Sequence, residues 1–116
     1  MNEILKGRTF QFWEYRVSHG QLLVRSPRQA EATRNVDLMF SGVEYVDLPR
    51  FLPELELDVS GDDDVLRAQE RLGKPVEART VIVLKCRGHR HIVVAAGMSC
   101  AESDMDIFES PFDASP

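Results

Sequence analysis

Cys86, His89 and His91 stand as C-x-x-H-x-H, the densest group of metal- and proton-handling side chains in the chain. Thiolate and imidazole both ligate zinc, which needs about four donors converging at about 2.0–2.3 Å. Cys100 or His19 would have to complete such a set. The spacing is not that of a zinc finger, and alternate strand positions point to opposite faces. The competing expectation is therefore a buried cysteine beside a polar loop, with no cofactor. A nucleophile–base pair of His19 with Cys86 or Cys100 would need contact and a lowered thiol pKa, and nothing in the sequence brings them together.

Asp62, Asp63 and Asp64 are adjacent, without the D-x-D-x-D-G spacing that wraps carboxylates around calcium. At the start of a helix their role is to offset its dipole. Asp104 and Asp106 form a D-x-D with Glu109 beyond, but no glycine makes the bend. Asp37, Glu44 and Asp47 could supply paired carboxylates, although acids alternating on strands are the ordinary wet face. Phosphate-loop, G-x-S-x-G and H-E-x-x-H motifs are all missing. An enzyme is thereby disfavoured, although folds host sites that sequence spacing does not reveal.

Two stretches carry residues suited to binding a partner. Trp13, Tyr15 and Arg16 are types favoured at interface hot spots, and Arg25 would lie opposite them across a hairpin. If Trp13 and Tyr15 face the core they are packing; if Phe10 and Phe12 take the core, Trp13 and Tyr15 are left for a partner. The same hairpin could stack single-stranded nucleic acid, with Arg16 and Arg25 on phosphates, but the acidity of the chain disfavours this. The second stretch is the loop carrying Arg87, His89, Arg90 and His91.

The elements that position these residues follow from periodicity. Residues 9–18 read as a strand whose apolar face switches between Phe12 and Trp13, which implies a bulge or a strand covered on both sides. His19-Gly20 turns into a second strand over 21–26. Residues 27–34 are polar, a loop or one helical turn. Residues 35–48 fit either a tight hairpin or one long strand with a bulge at Gly42. Pro49 and Pro53 mark a connector. Leu55, Leu57 and Val59 alternate with acids, as in a half-exposed strand.

Val65, Ala68 and Leu72 make the apolar stripe of a helix over 62–72, stopped by Gly73 and Pro75. Asp63–Arg67 and Glu70–Lys74 are spaced for i, i+4 pairs. Residues 79–86 and 91–97 are apolar on both faces and belong at the sheet centre. The expectation is a single α+β domain over 1–98: a mainly antiparallel sheet built from hairpins, with one helix packed on one face. Residues 99–116 read as an acidic C-terminal tail, mobile unless docked.

The chain has 116 residues, 28% of them charged, and a net charge of -5. That figure is a cancellation. Residues 1–50 carry a net +1, 51–73 carry -5, 74–98 carry +4 and 99–116 carry -5. The adjacency of the last two blocks suggests a clamp, in which Phe108 and Phe112 dock while the tail's acids face Arg87 and Arg90. No apolar run approaches the roughly 20 residues of a membrane-spanning helix, and no leader pattern or cysteine-pair spacing appears. The sequence points to a cytoplasmic, non-enzymatic interaction module that binds a protein partner or itself, one version being an acidic inhibitor or antidote-type binder. The alternative is a metal protein or small enzyme using the 86–91 cluster.

Overall fold

The computed structural model describes residues 1–29 and 33–114. Residues 30–32, inside the polar link over 27–34, and 115–116 lie outside the described residues. Apolar alternation yields seven strands: β1 (Thr9–Arg16), β2 (Gln21–Ser26), β3 (Asn35–Asp47), β4 (Phe51–Pro53), β5 (Leu55–Asp58), β6 (Val81–Cys86) and β7 (His89–Ser103). They form one antiparallel sheet in the order β4-β1-β2-β3-β7-β6-β5. The two edge strands β4 and β5 are consecutive in sequence, joined through Glu54 alone. The sheet therefore curls back on itself into a nearly barrel-shaped, sheet-dominated α+β fold. Every strand sends side chains into one interior cluster, among them Phe10, Leu22, Leu38, Leu52, Leu55, Leu84 and Val93.

Among the described residues, two α-helices flank the barrel. α1 (Asn2–Leu5) places Leu5 fully in the interior cluster. The sequence reading of one helix missed α1 because four residues are too few to show a period. α2 (Asp62–Leu72) lies outside, where Val65, Ala68 and Leu72 cover Val81, Val83, Ile92 and Val94. This is why β6 and β7 are apolar on both faces: one faces the interior and the other the helix. Gly73 ends α2 in a left-handed conformation, its N–H donating to Gln69 O at 2.8 Å. The expected i, i+4 pairs are replaced by longer-range ones: Arg67 donates to Arg90 O at 2.7 Å and Lys74 pairs with Glu44.

Residues 35–47 form one long strand rather than a hairpin. Gly42 has φ +60, and a Cβ there would stand 2.8 Å from the Ala96 Cβ, so only glycine fits. The pairing of β3 with β7 shifts register between Val43 and Tyr45. That shift turns Tyr45 toward α2 while Val43 still packs on the interior. The expected connector around Pro49 and Pro53 contains β4, tolerated because a proline can sit on an edge strand. β7 continues to Ser103, paired with β3 as far as Asn35↔Ser103. Its last residues are polar, so alternation alone does not show them as strand.

Candidate functional site

Arg25 and Asp37 are register partners on β2 and β3, on the face opposite the interior. Arg25 Nε donates to Asp37 Oδ1 at 2.7 Å and its second terminal nitrogen to Oδ2 at 3.1 Å. The guanidinium also sits 5.5 Å from the Trp13 ring centre. Arg25 has 0% exposure, so it is not the surface contact its charge suggested. Burying an ion pair is tolerable only where the geometry is good and the remaining donors are satisfied.

The chain beyond β7 supplies that satisfaction. Arg25 donates to Glu109 O at 2.9 Å, and Asn35 donates to Met105 O at 2.8 Å. Further along, Ser110 Oγ donates to Glu14 Oε1 at 2.6 Å and Arg16 donates to Asp113 Oδ1 at 2.6 Å. Arg16 also stands 5.6 Å from the Phe112 ring centre. The acidic tail is thus a strap across the outer face of β1, β2 and β3. Among the described residues it makes no hydrogen bond or ion pair with the basic loop, and Phe108, expected to dock, is 89% exposed. Asp113, with Glu14 behind it, raises the Arg16 pKa above its usual value.

The aromatic stretch of β1 divides at its bulge. The register with β2 shifts between Phe12 and Glu14, as the switch of apolar faces implied. Phe10 enters the interior, and Trp13 is half-buried against Arg25. Tyr15, opposite the interior residue Leu22, is 40% exposed, and Phe12 is 36% exposed. The reason lies in β4. It pairs with β1 only over Thr9, Phe10 and Gln11, and one further bond runs from Phe12 N–H to Arg50 O at 2.8 Å. Beyond that point, among the described residues, β1 has β2 on one side and no strand on the other. Phe51, opposite Gln11, adds a 49% exposed ring beside this open edge.

The basic loop is committed locally. Arg87 pairs with Glu54 at 3.5 Å. Arg90 donates to Asp58 at 2.6 Å and to Asp64 at 2.7 Å, tying β7 to the end of β5 and the start of α2. Asp64 in turn accepts the Gly61 N–H at 2.8 Å. The Arg90 guanidinium holds both Asp58 and Asp64 below the usual carboxylate range. His89 and His91 have ring centres 6.5 Å apart. Cys86 is buried in the interior cluster, and burial pushes its thiol pKa up; burial does the same to Cys100. Among the described residues, no group of three or more His, Cys, Asp or Glu is placed to hold a metal ion. A cleft of about 590 Å³ is lined by Asn2, Glu3, Lys6, Gly7, Glu54, Leu55 and Glu56, so it contains none of the nominated site residues.

Of the residues nominated from sequence, Arg16 and Arg25 meet the strap, Trp13 lies against Arg25, and Tyr15 stands on the open edge. Arg87, His89, Arg90 and His91 form a separate corner. Asp37, Glu109, Ser110 and Asp113 were not assigned to this face. The available signal was the matched placement of Arg25 and Asp37 in adjacent strands, which only the register makes visible. None of the described helices is long and apolar enough to cross a membrane. The chain matches no family model, no curated protein and no solved structure among those compared with it.

Proposed function

We propose that the chain is a non-enzymatic protein-interaction module whose contact surface is the open edge of β1 with the neighbouring rim of β4. The observation that carries this reading is the exposure of Phe12, Tyr15 and Phe51 around a strand stretch that, among the described residues, has no strand on one side. Natural sheets cover or charge their edges, because unpaired N–H and C=O groups invite another chain. Exposed aromatics beside such an edge supply the rigid area on which interfaces depend. Arg25 serves from beneath, fixing Trp13 and the strap; Arg16 lies at the rim. Arg87 and Arg90 hold the fold's corner and leave the aromatic edge as the better surface. Two cysteines without a disulfide support a reducing, cytoplasmic setting.

Photo-crosslinking in the native cell tests this. A benzoylphenylalanine at Tyr15 is expected to give a discrete protein adduct. The same group at Leu66, exposed on α2, is expected to give none. Equal or absent labelling at the two positions would remove the reading.

A further inference from the structure

The barrel manages its edges unequally. On β5 the Asn2 side chain accepts the Leu57 N–H at 2.8 Å and donates to Leu57 O at 3.0 Å, occupying the groups another strand would use. No such cap stands beside residues 13–16 of β1 among the described residues. Their sequence, Trp-Glu-Tyr-Arg, has an acid and a base symmetric about Tyr15.

We propose that this edge pairs antiparallel with the same edge of a second copy of the chain, about a two-fold axis at Tyr15. This rests on the interaction-module reading and names the partner. The charge pattern selects the register. With the axis at Tyr15, Glu14 of each copy lies opposite Arg16 of the other, and the two Tyr15 rings face each other. Glu14 and Arg16 already share the outer face, joined at 3.0 Å. The second copy extends them into a two-by-two array of charges in which each has the opposite sign across from it. Tyr15 and Phe12 lie on the other face, opposite Leu22 and Val24, so the dyad sets four half-exposed aromatics in one strip. Opposite charges and aromatic pairs directly across a strand pair are favourable, and like charges are unfavourable. Closed two-fold pairing of one self-complementary patch is the commonest form of homo-oligomer. Shifting the axis by one residue would set Glu14 opposite itself or Arg16 opposite itself, and shifting it by two would leave both without an opposite charge, so the Tyr15 register is the one that pairs them.

The experiment is sedimentation of the full chain over a wide concentration range, with three charge variants. The wild type is expected to dimerise. E14R and R16E each set like charges opposite one another twice, and each is expected to weaken dimerisation by roughly tenfold or more. The double variant E14R/R16E restores alternation with reversed sign and is expected to recover the dimer. An equimolar mixture of the two single variants is expected to associate as a heterodimer. Circular dichroism of each variant checks folding, and the mixture reports pairing even if a single variant loosens the strap. A wild type monomeric at every concentration would overturn the proposal, as would a dimer that both single variants leave intact. If Tyr15 crosslinks to a different protein while the chain stays monomeric, the second copy is wrong and the interaction-module reading stands.

Discussion

The outer surface of the barrel is covered twice, by unlike means. Over β6 and β7 the cover is α2, whose Val65, Ala68 and Leu72 meet Val81, Val83, Ile92 and Val94. Over β1, β2 and β3 it is the strap, which meets Arg25, Asn35, Glu14 and Arg16 through hydrogen bonds and ion pairs. The sheet residues dictate which cover works. Valine and isoleucine want apolar area, supplied by an amphipathic helix in any of several close packings. A buried guanidinium wants acceptors in fixed places, supplied by the carbonyls of an irregular chain. The helical cover is therefore non-directional and tolerant, while the strap is directional and conditional. The charge blocks of the sequence divide the same way. The acidic 51–73 block answers the basic loop through Asp58 and Asp64, and the acidic tail answers Arg16 through Asp113, while Arg25 takes its counter-charge from Asp37 and only a backbone carbonyl from the tail.

The largest effect is expected where the strap's ground plan is removed. Arg25→Ala leaves Asp37 buried without its partner and strips the strap of its anchor. Breaking one side of a buried pair costs about 3–5 kcal/mol, read as a lowered urea midpoint. The paired replacement R25M/D37L removes both charges and is expected to recover most of the loss. If the single and paired variants are equally unstable, the site depends on the volume of Arg25 and not on its charge.

How much of this was legible in the sequence differs between the two covers for the same reason. Val65, Ala68 and Leu72 repeat at helical spacing, and Gly73 with Pro75 marks the end, so α2 is readable from local pattern. The sheet-dominated fold is likewise written in the alternation of its strands. Arg25 carries no such mark, since a charged residue in an apolar run reads as a wet position. Only its register opposite Asp37 and the return of residues 105–113 bury it, and both are contacts between distant parts of the chain. Ser99 to Ser103 hid for a related reason: a strand whose outer face is polar and whose pairing partner is 60 or more residues away in sequence leaves little periodic trace.

A smaller effect is expected at the corner that holds α2. Arg90 depresses the pKa of Asp58 and Asp64 below the ordinary value of 3.8. Their contribution is complete above that value. It is lost as pH falls through the folded-state pKa, because the unfolded chain takes up the protons first. Stability should therefore decline below about pH 4, with the start of α2 loosening. Arg90→Met is expected to lower stability at neutral pH and to flatten this acid limb, as followed by urea unfolding at a series of pH values. An acid limb unchanged by the substitution would show that other carboxylates control it.

The smallest effect is expected at the strap's far end, and it tests whether the two covers open separately. The Arg16–Asp113 pair is exposed on the Asp113 side, and solvent screens such pairs, so they add little to global stability. Asp113→Asn should leave the urea midpoint nearly unchanged. Local opening of the strap reports more sharply, because it needs no global unfolding. The Glu109 N–H, bonded to Asp106 O at 2.9 Å, and the Asp113 N–H, bonded to Ser110 O at 3.1 Å, lie within the strap. Their hydrogen exchange is expected to quicken several-fold in the variant, and added salt should produce the same change in the wild type. The Gly73 N–H at the end of α2 should not respond to Asp113→Asn, because α2 is seated on β6 and β7 through its own apolar contacts. Equal quickening at Gly73 would show that strap and helix form one cooperative unit, and that the difference in chemistry between the two covers has no counterpart in their stability.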